Sequence, residues 1–68
     1  MALTIEVERE DDGRWLAEVL DLSGVTAYGQ TRQEAIDRAQ ALALRVLAER
    51  LEQGENVPFL SNVFSVVP

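Results

Sequence analysis

Seven carboxylates crowd the first third of the chain: Glu6, Glu8, Glu10, Asp11, Asp12, Glu18 and Asp21. Carboxylates at this density can hold a divalent cation, work as an acid–base pair, or attract a basic surface. A cation site built only from oxygen needs convergent geometry. Glu6, Glu8, Glu10, Asp11 and Asp12 instead alternate along a strand-like stretch and then round a turn, which favours a solvated face. Glu18 and Asp21 could in principle serve as acid and base, or hold a cation together with Glu6, but no spacing sets them apart from surface charge. Ser23, Ser61 and Ser65 have no histidine or lysine anywhere in the chain to activate them, and there is no cysteine. The expectation is therefore a protein that is not an enzyme, with no catalytic residue, no metal site and no cofactor. What the acids offer is a surface for a partner, built from Glu6, Glu8, Asp11, Asp12 and Glu18.

The charge balance narrows the partner. Twelve acids against six arginines give a net charge of −6, which repels phosphate backbones and anionic bilayers, so neither nucleic acid nor membrane is expected as a direct ligand. No apolar run approaches the roughly 20 residues that cross a bilayer, and no basic stretch precedes an apolar leader, so the expected location is cytoplasmic. A chain of 68 residues forms one domain, and a core of this size rarely supplies more than about 3–5 kcal/mol. With no cysteine for disulfides and no histidine or thiolate for a structural metal, self-association is the remaining reinforcement.

The elements that position these residues follow from periodicity. Leu3, Ile5 and Val7 alternate with Thr4, Glu6 and Glu8, a half-buried strand over about 2–9. Asp12-Gly13 closes a hairpin into a second strand at about 14–20, whose Trp15, Ala17 and Val19 share one face, while Leu16, Glu18 and Leu20 make a second, only partly polar face that can touch a partner. Asp21-Leu22-Ser23-Gly24 is a second tight turn, and a third strand runs over about 25–28 up to Gly29.

A helix over about 31–53 then organises the rest. Thr31 is an N-cap, and Glu34 is placed to reach back to the Thr31 N–H in a capping box. Ala35, Ile36, Ala39, Leu42, Ala43, Val46 and Leu47 form the stripe that covers the sheet. Leu44 and Leu51 lie off that stripe with Ala41 and Ala48 beside them. Gln53-Gly54 ends the helix with a left-handed glycine. The apolar, β-branched segment 59–67 reads as a fourth strand, or as a segment packed on another subunit. Leu44, Leu51, Phe59, Phe64 and Val66 together exceed what a small monomer hides, and they are the expected interface of a homodimer or higher oligomer.

The order strand, acidic turn, Gly-Arg-Trp-Leu-Ala-Glu-Val at 13–19, Leu-Asp-Leu-Ser-Gly-Val at 20–25, and Gly-Gln-Thr-x-x-Glu-Ala at 29–35 opening a long helix resembles the HicB-like antitoxin family over about residues 3–50. Leu20 and Ser23 stand where that family prefers proline, Val25 where it has cysteine, and Gln30 where it has aspartate. The resemblance implies an α+β fold, a partial ribonuclease-H-like β-β-β-α-β unit. It also implies neutralisation of a small basic HicA-like mRNA interferase by masking the toxin's active site, without catalysis. Members of the family often carry an operator-binding helix-turn-helix or ribbon-helix-helix segment after this domain, and none is expected within these residues. The alternative is an orphan oligomeric interaction or structural protein of the same fold with no toxin partner.

Overall fold

The computed structural model describes residues 3–68, with the side chain of Phe59 excepted. Three strands, β1 (Ile5–Arg9), β2 (Trp15–Val19) and β3 (Thr26–Gly29), form an antiparallel sheet in the order β1-β2-β3. One helix, α1 (Arg32–Glu52), packs on one face of that sheet, so the fold is α+β. β1 is shorter than its alternating pattern suggests, although the Leu20 N–H still donates to the Thr4 carbonyl at 2.9 Å. Residue 2, where the expected strand began, lies outside the described residues.

Period-two alternation sorts the sheet as the sequence requires. Ile5 pairs with Val19 and Val7 with Ala17 on the helix-facing side. The β1–β2 hairpin turns at Gly13, whose φ of 89° is the left-handed conformation that glycine adopts without steric cost. Its closure is local: the Glu10 N–H donates to the Arg14 carbonyl at 2.7 Å and the Gly13 N–H to the Glu10 carbonyl at 3.0 Å.

The core is made of small and branched residues: Ala17, Val19, Leu22, Val25, Ala35, Ala39, Ala43, Leu47 and Val57. Alanines at one-turn spacing on α1 let the helix lie close to the strands. That closeness explains Gly29, because a Cβ there would fall on the backbone of Glu34 and Ala35, 2.9 Å from the Ala35 Cα. Thr31 caps the helix as expected, accepting from the Glu34 N–H at 3.0 Å. The reciprocal bond is displaced by one residue: the Glu34 carboxylate accepts from the Gln30 N–H at 3.0 Å, not from Thr31. At the other end, the Gly54 N–H donates to the Leu51 carbonyl and the Glu55 N–H to the Arg50 carbonyl, with Gly54 at φ 79°, a Schellman stop.

The C-terminal strand expected over 59–67 does not form. Pro58–Asn62 is a 3-10 helix, η1, and 63–68 carry no regular structure. Proline at the start of η1 presets φ for a helical turn and removes an N–H that a ladder would need. Val57, which is buried, and Leu60, packed against the core, anchor this turn. Its hydrogen bonds close locally, the Leu60 N–H to the Val57 carbonyl at 3.2 Å and the Ser61 hydroxyl to the Pro58 carbonyl at 2.9 Å. The segment meets neither sheet edge of its own chain, and strand propensity without a paired edge does not make a strand. No helix among the described residues is long and apolar enough to cross a membrane.

Candidate functional site

The sheet face turned away from α1 is the surface on which the acids can act together. Cross-strand pairing sets its rows: Glu8 opposite Leu16 and Leu16 opposite Tyr28, then Glu6 opposite Glu18 and Glu18 opposite Thr26. Opposed Cβ atoms in such pairs are about 5 Å apart, and residues two apart on one strand about 7 Å. Glu6, Glu8 and Glu18 therefore form one carboxylate patch, with the apolar pair Leu16 and Tyr28 at its hairpin end and exposed Leu20 beyond Glu18, just past the end of β2.

Glu6 directly facing Glu18 is unusual, because like charges opposed across a ladder are destabilising. Among the described residues neither is in an ion pair. The ion pairs among those residues are Arg14 with Asp12 at 2.7 Å and Arg38 with Glu34 at 3.2 Å, and neither includes Glu6, Glu8 or Glu18.

The turn acids behave differently from the strand acids. Asp12 accepts from the Arg14 backbone N–H at 3.0 Å and from its Nε at 2.7 Å. The backbone bond, and then the side-chain bond, hold the Asp12 carboxyl below its usual value of 3.8. The same guanidinium stacks on the Tyr28 ring, 4.2 Å from its centroid. Arg14 thus bounds the patch at the hairpin end with a positive charge, and Asp12 is already occupied; Asp11 stays exposed on the turn beside it. Nothing in the sequence pattern points to the Asp12–Arg14–Tyr28 bracket, since it requires the hairpin to bring residue 14 over a residue of the third strand.

The remaining candidates separate from this patch. Asp21, considered with Glu18 as an acid–base pair, accepts from the Thr4 backbone N–H at 2.6 Å, tying the second turn to the start of β1. Among the described residues no three acidic side chains converge on a point that could hold a metal ion. Leu44, Leu51, Phe64 and Val66 are all exposed, at 65%, 49%, 68% and 93%. The Phe59 side chain lies outside what is described. One functional support escaped the sequence reading: the Arg38 guanidinium donates to the Tyr28 carbonyl at 3.0 Å, pinning α1 to β3 beneath the patch.

No family model matches the chain, and comparison with curated proteins and with solved structures gives no match.

Proposed function

We propose that this chain is a non-catalytic protein-binding module, similar to a HicB antitoxin, that neutralises a small basic HicA-like mRNA interferase by covering its active site. On this reading the β-β-β-α body is a partial ribonuclease-H-like unit, and it acts in the cytoplasm on a protein ligand. The observation that carries the reading is the carboxylate patch Glu6, Glu8 and Glu18, in no ion pair among the described residues and flanked by Leu16, Leu20 and Tyr28. An arginine or lysine of a partner placed between Glu6 and Glu18 relieves their mutual repulsion. The flanking apolar side chains then supply the area that charge alone does not. An RNA-cleaving toxin must itself be basic to hold its substrate, so the signs are complementary.

An orphan oligomeric protein of the same fold is the second reading, favoured by the exposed apolar residues after η1. Adding the protein to a HicA-like toxin separates the two. Near-stoichiometric inhibition of mRNA cleavage supports the antitoxin reading, and unchanged cleavage supports the orphan. Metal-dependent RNA cleavage by the chain itself, surviving stringent purification and lost in Glu18→Gln or Asp21→Asn, would show that the module is not inert.

A further inference from the structure

The structure leaves more surface open than a chain of its mass needs to. It exposes 5093 Å², whereas a compact monomer of 7.6 kDa exposes about 4,300 Å². The surplus of about 800 Å² equals the roughly 800 Å² that each partner buries in an interface of standard size. The radius of gyration agrees: it is 13.9 Å, against about 11 Å for a compact chain of this length.

Two places account for the surplus. The first is the segment after η1, where Val63, Phe64, Val66 and Val67 are each at least 66% exposed. The longest dimension is 51 Å, and α1 with its 21 residues covers only about 31 Å. The Val63 and Phe64 N–H groups both still donate to the Leu60 carbonyl at 3.0 Å, and 65–68 follow exposed and without regular structure. The second place is a shoulder along β1. The helix packs mainly over β3 and β2 and least over β1, leaving Leu3, Ile5 and Val7 half-buried. Arg38 fixes one flank of α1 to β3. At about 100° per residue, Leu44 and Leu51 lie on the opposite flank, toward β1. β1 is also an edge of the sheet, paired only with β2.

We propose that two copies of this chain associate by exchanging residues 63–67, each segment lying along the β1 edge of the other copy over the shoulder of Leu3, Ile5, Val7 and Leu44. The occupant and the site match in chemistry: the segment is uncharged, β-branched and aromatic, and the shoulder is apolar with an open strand edge. Exchange in both directions is isologous and closes at two copies. β1 also carries Glu6 and Glu8, but the exchange uses the strand edge and the helix-facing side chains rather than their carboxylates, and its test reads association rather than inhibition, so its failure is distinguishable from failure of the antitoxin reading.

Light scattering of the full chain at micromolar concentration is expected to give the mass of two copies. In a sample mixing isotope-labelled and unlabelled chains, filtered nuclear Overhauser spectra are expected to connect Phe64 and Val66 of one copy with Ile5, Val7 and Leu44 of the other. Phe64→Asp combined with Val66→Asp should raise the dissociation constant about 100-fold, because it places two charges in an apolar contact. Both positions are exposed in the single copy, so the double variant should keep the parent's circular dichroism. A monomer mass overturns the proposal, as does a dimer in which those cross-peaks arise only within one copy or residues 63–67 contact nothing.

Discussion

The two ends of α1 are built on different terms. At its start, a side-chain cap from Thr31, the return bond from Glu34 to Gln30, the Arg38 bond to the Tyr28 carbonyl and the close approach at Gly29 all fix the helix to the sheet. At its end, beyond Leu47, the helix surface is largely exposed, the stop is made by backbone bonds around Gly54, and the chain after η1 lies open. The first end holds a charged face in one geometry without help from any partner. The second end presents apolar side chains to solvent, the surface that the proposed exchange between copies would cover. The contrast separates a surface fixed by bonds within the chain from one left open to solvent, and only the second calls for the proposed pairing of copies.

The largest effect should come from the rigid end. Gly29→Ala forces a methyl into the backbone of Glu34 and Ala35, and overpacking of this kind costs about 3 kcal/mol, enough to unfold much of a chain this small in a urea titration. Stability within about 0.5 kcal/mol of the parent would mean that the helix can lift from the sheet, and the contrast between the two ends would fail. Thr31→Ala removes the cap acceptor and should cost about 1 kcal/mol by the same titration. At the open end, Gly54→Ala puts a side chain into the left-handed region and should also cost about 1 kcal/mol. Because that penalty is local, amide exchange should quicken in the last turn of α1 and not around Thr31; uniform quickening would contradict the division.

A smaller effect reports on the patch. Glu18→Gln removes one of two opposed like charges and should stabilise the free protein by a few tenths of a kcal/mol while weakening capture of a basic partner. Loss of stability would indicate a compensating cation. Smallest is the response of Asp12. Its carboxyl carbon should titrate with a midpoint below 3.8, returning upward in Arg14→Gln. The sign follows from the lowered folded-state value: the bond supports the hairpin above the ordinary carboxylate range and is lost as pH falls through the folded-state midpoint. A midpoint at or above 3.8 would remove Arg14 from its place beside the patch.

Much of this architecture is legible locally. Alternation along Leu3–Glu8 assigns Glu6 and Glu8 to the solvent side, and the stripe from Ala35 to Leu47 assigns the helix face, because each side chain's direction is set within a turn or two of backbone. Both helix ends are marked by residues that act on their immediate neighbours. Leu22 and Val57 are core residues that no periodicity announces, since each is an isolated apolar side chain in irregular structure. The segment 59–67 has strand-like composition, but a strand is a pairing, and Pro58 with the anchors Val57 and Leu60 turned the chain before any edge was met. For the site, the acids were legible as a set. Their division into a strand patch and an occupied turn was not, because Arg14 reaches Asp12 and Tyr28 only once the hairpin has closed.

The central claim is that the carboxylates on the outer sheet face recognise a basic protein. Its most direct test compares the parent with Glu6→Lys combined with Glu8→Lys as inhibitors of mRNA cleavage by a HicA-like toxin, at matched concentration and at two salt concentrations. Both residues point to solvent, so circular dichroism and light scattering of the double variant should match the parent. The parent is expected to inhibit at near-stoichiometric ratio, with association slowing as salt screens the patch, while the double variant loses inhibition. A double variant that folds like the parent and inhibits equally well would show that the acidic sheet face is not the contact surface.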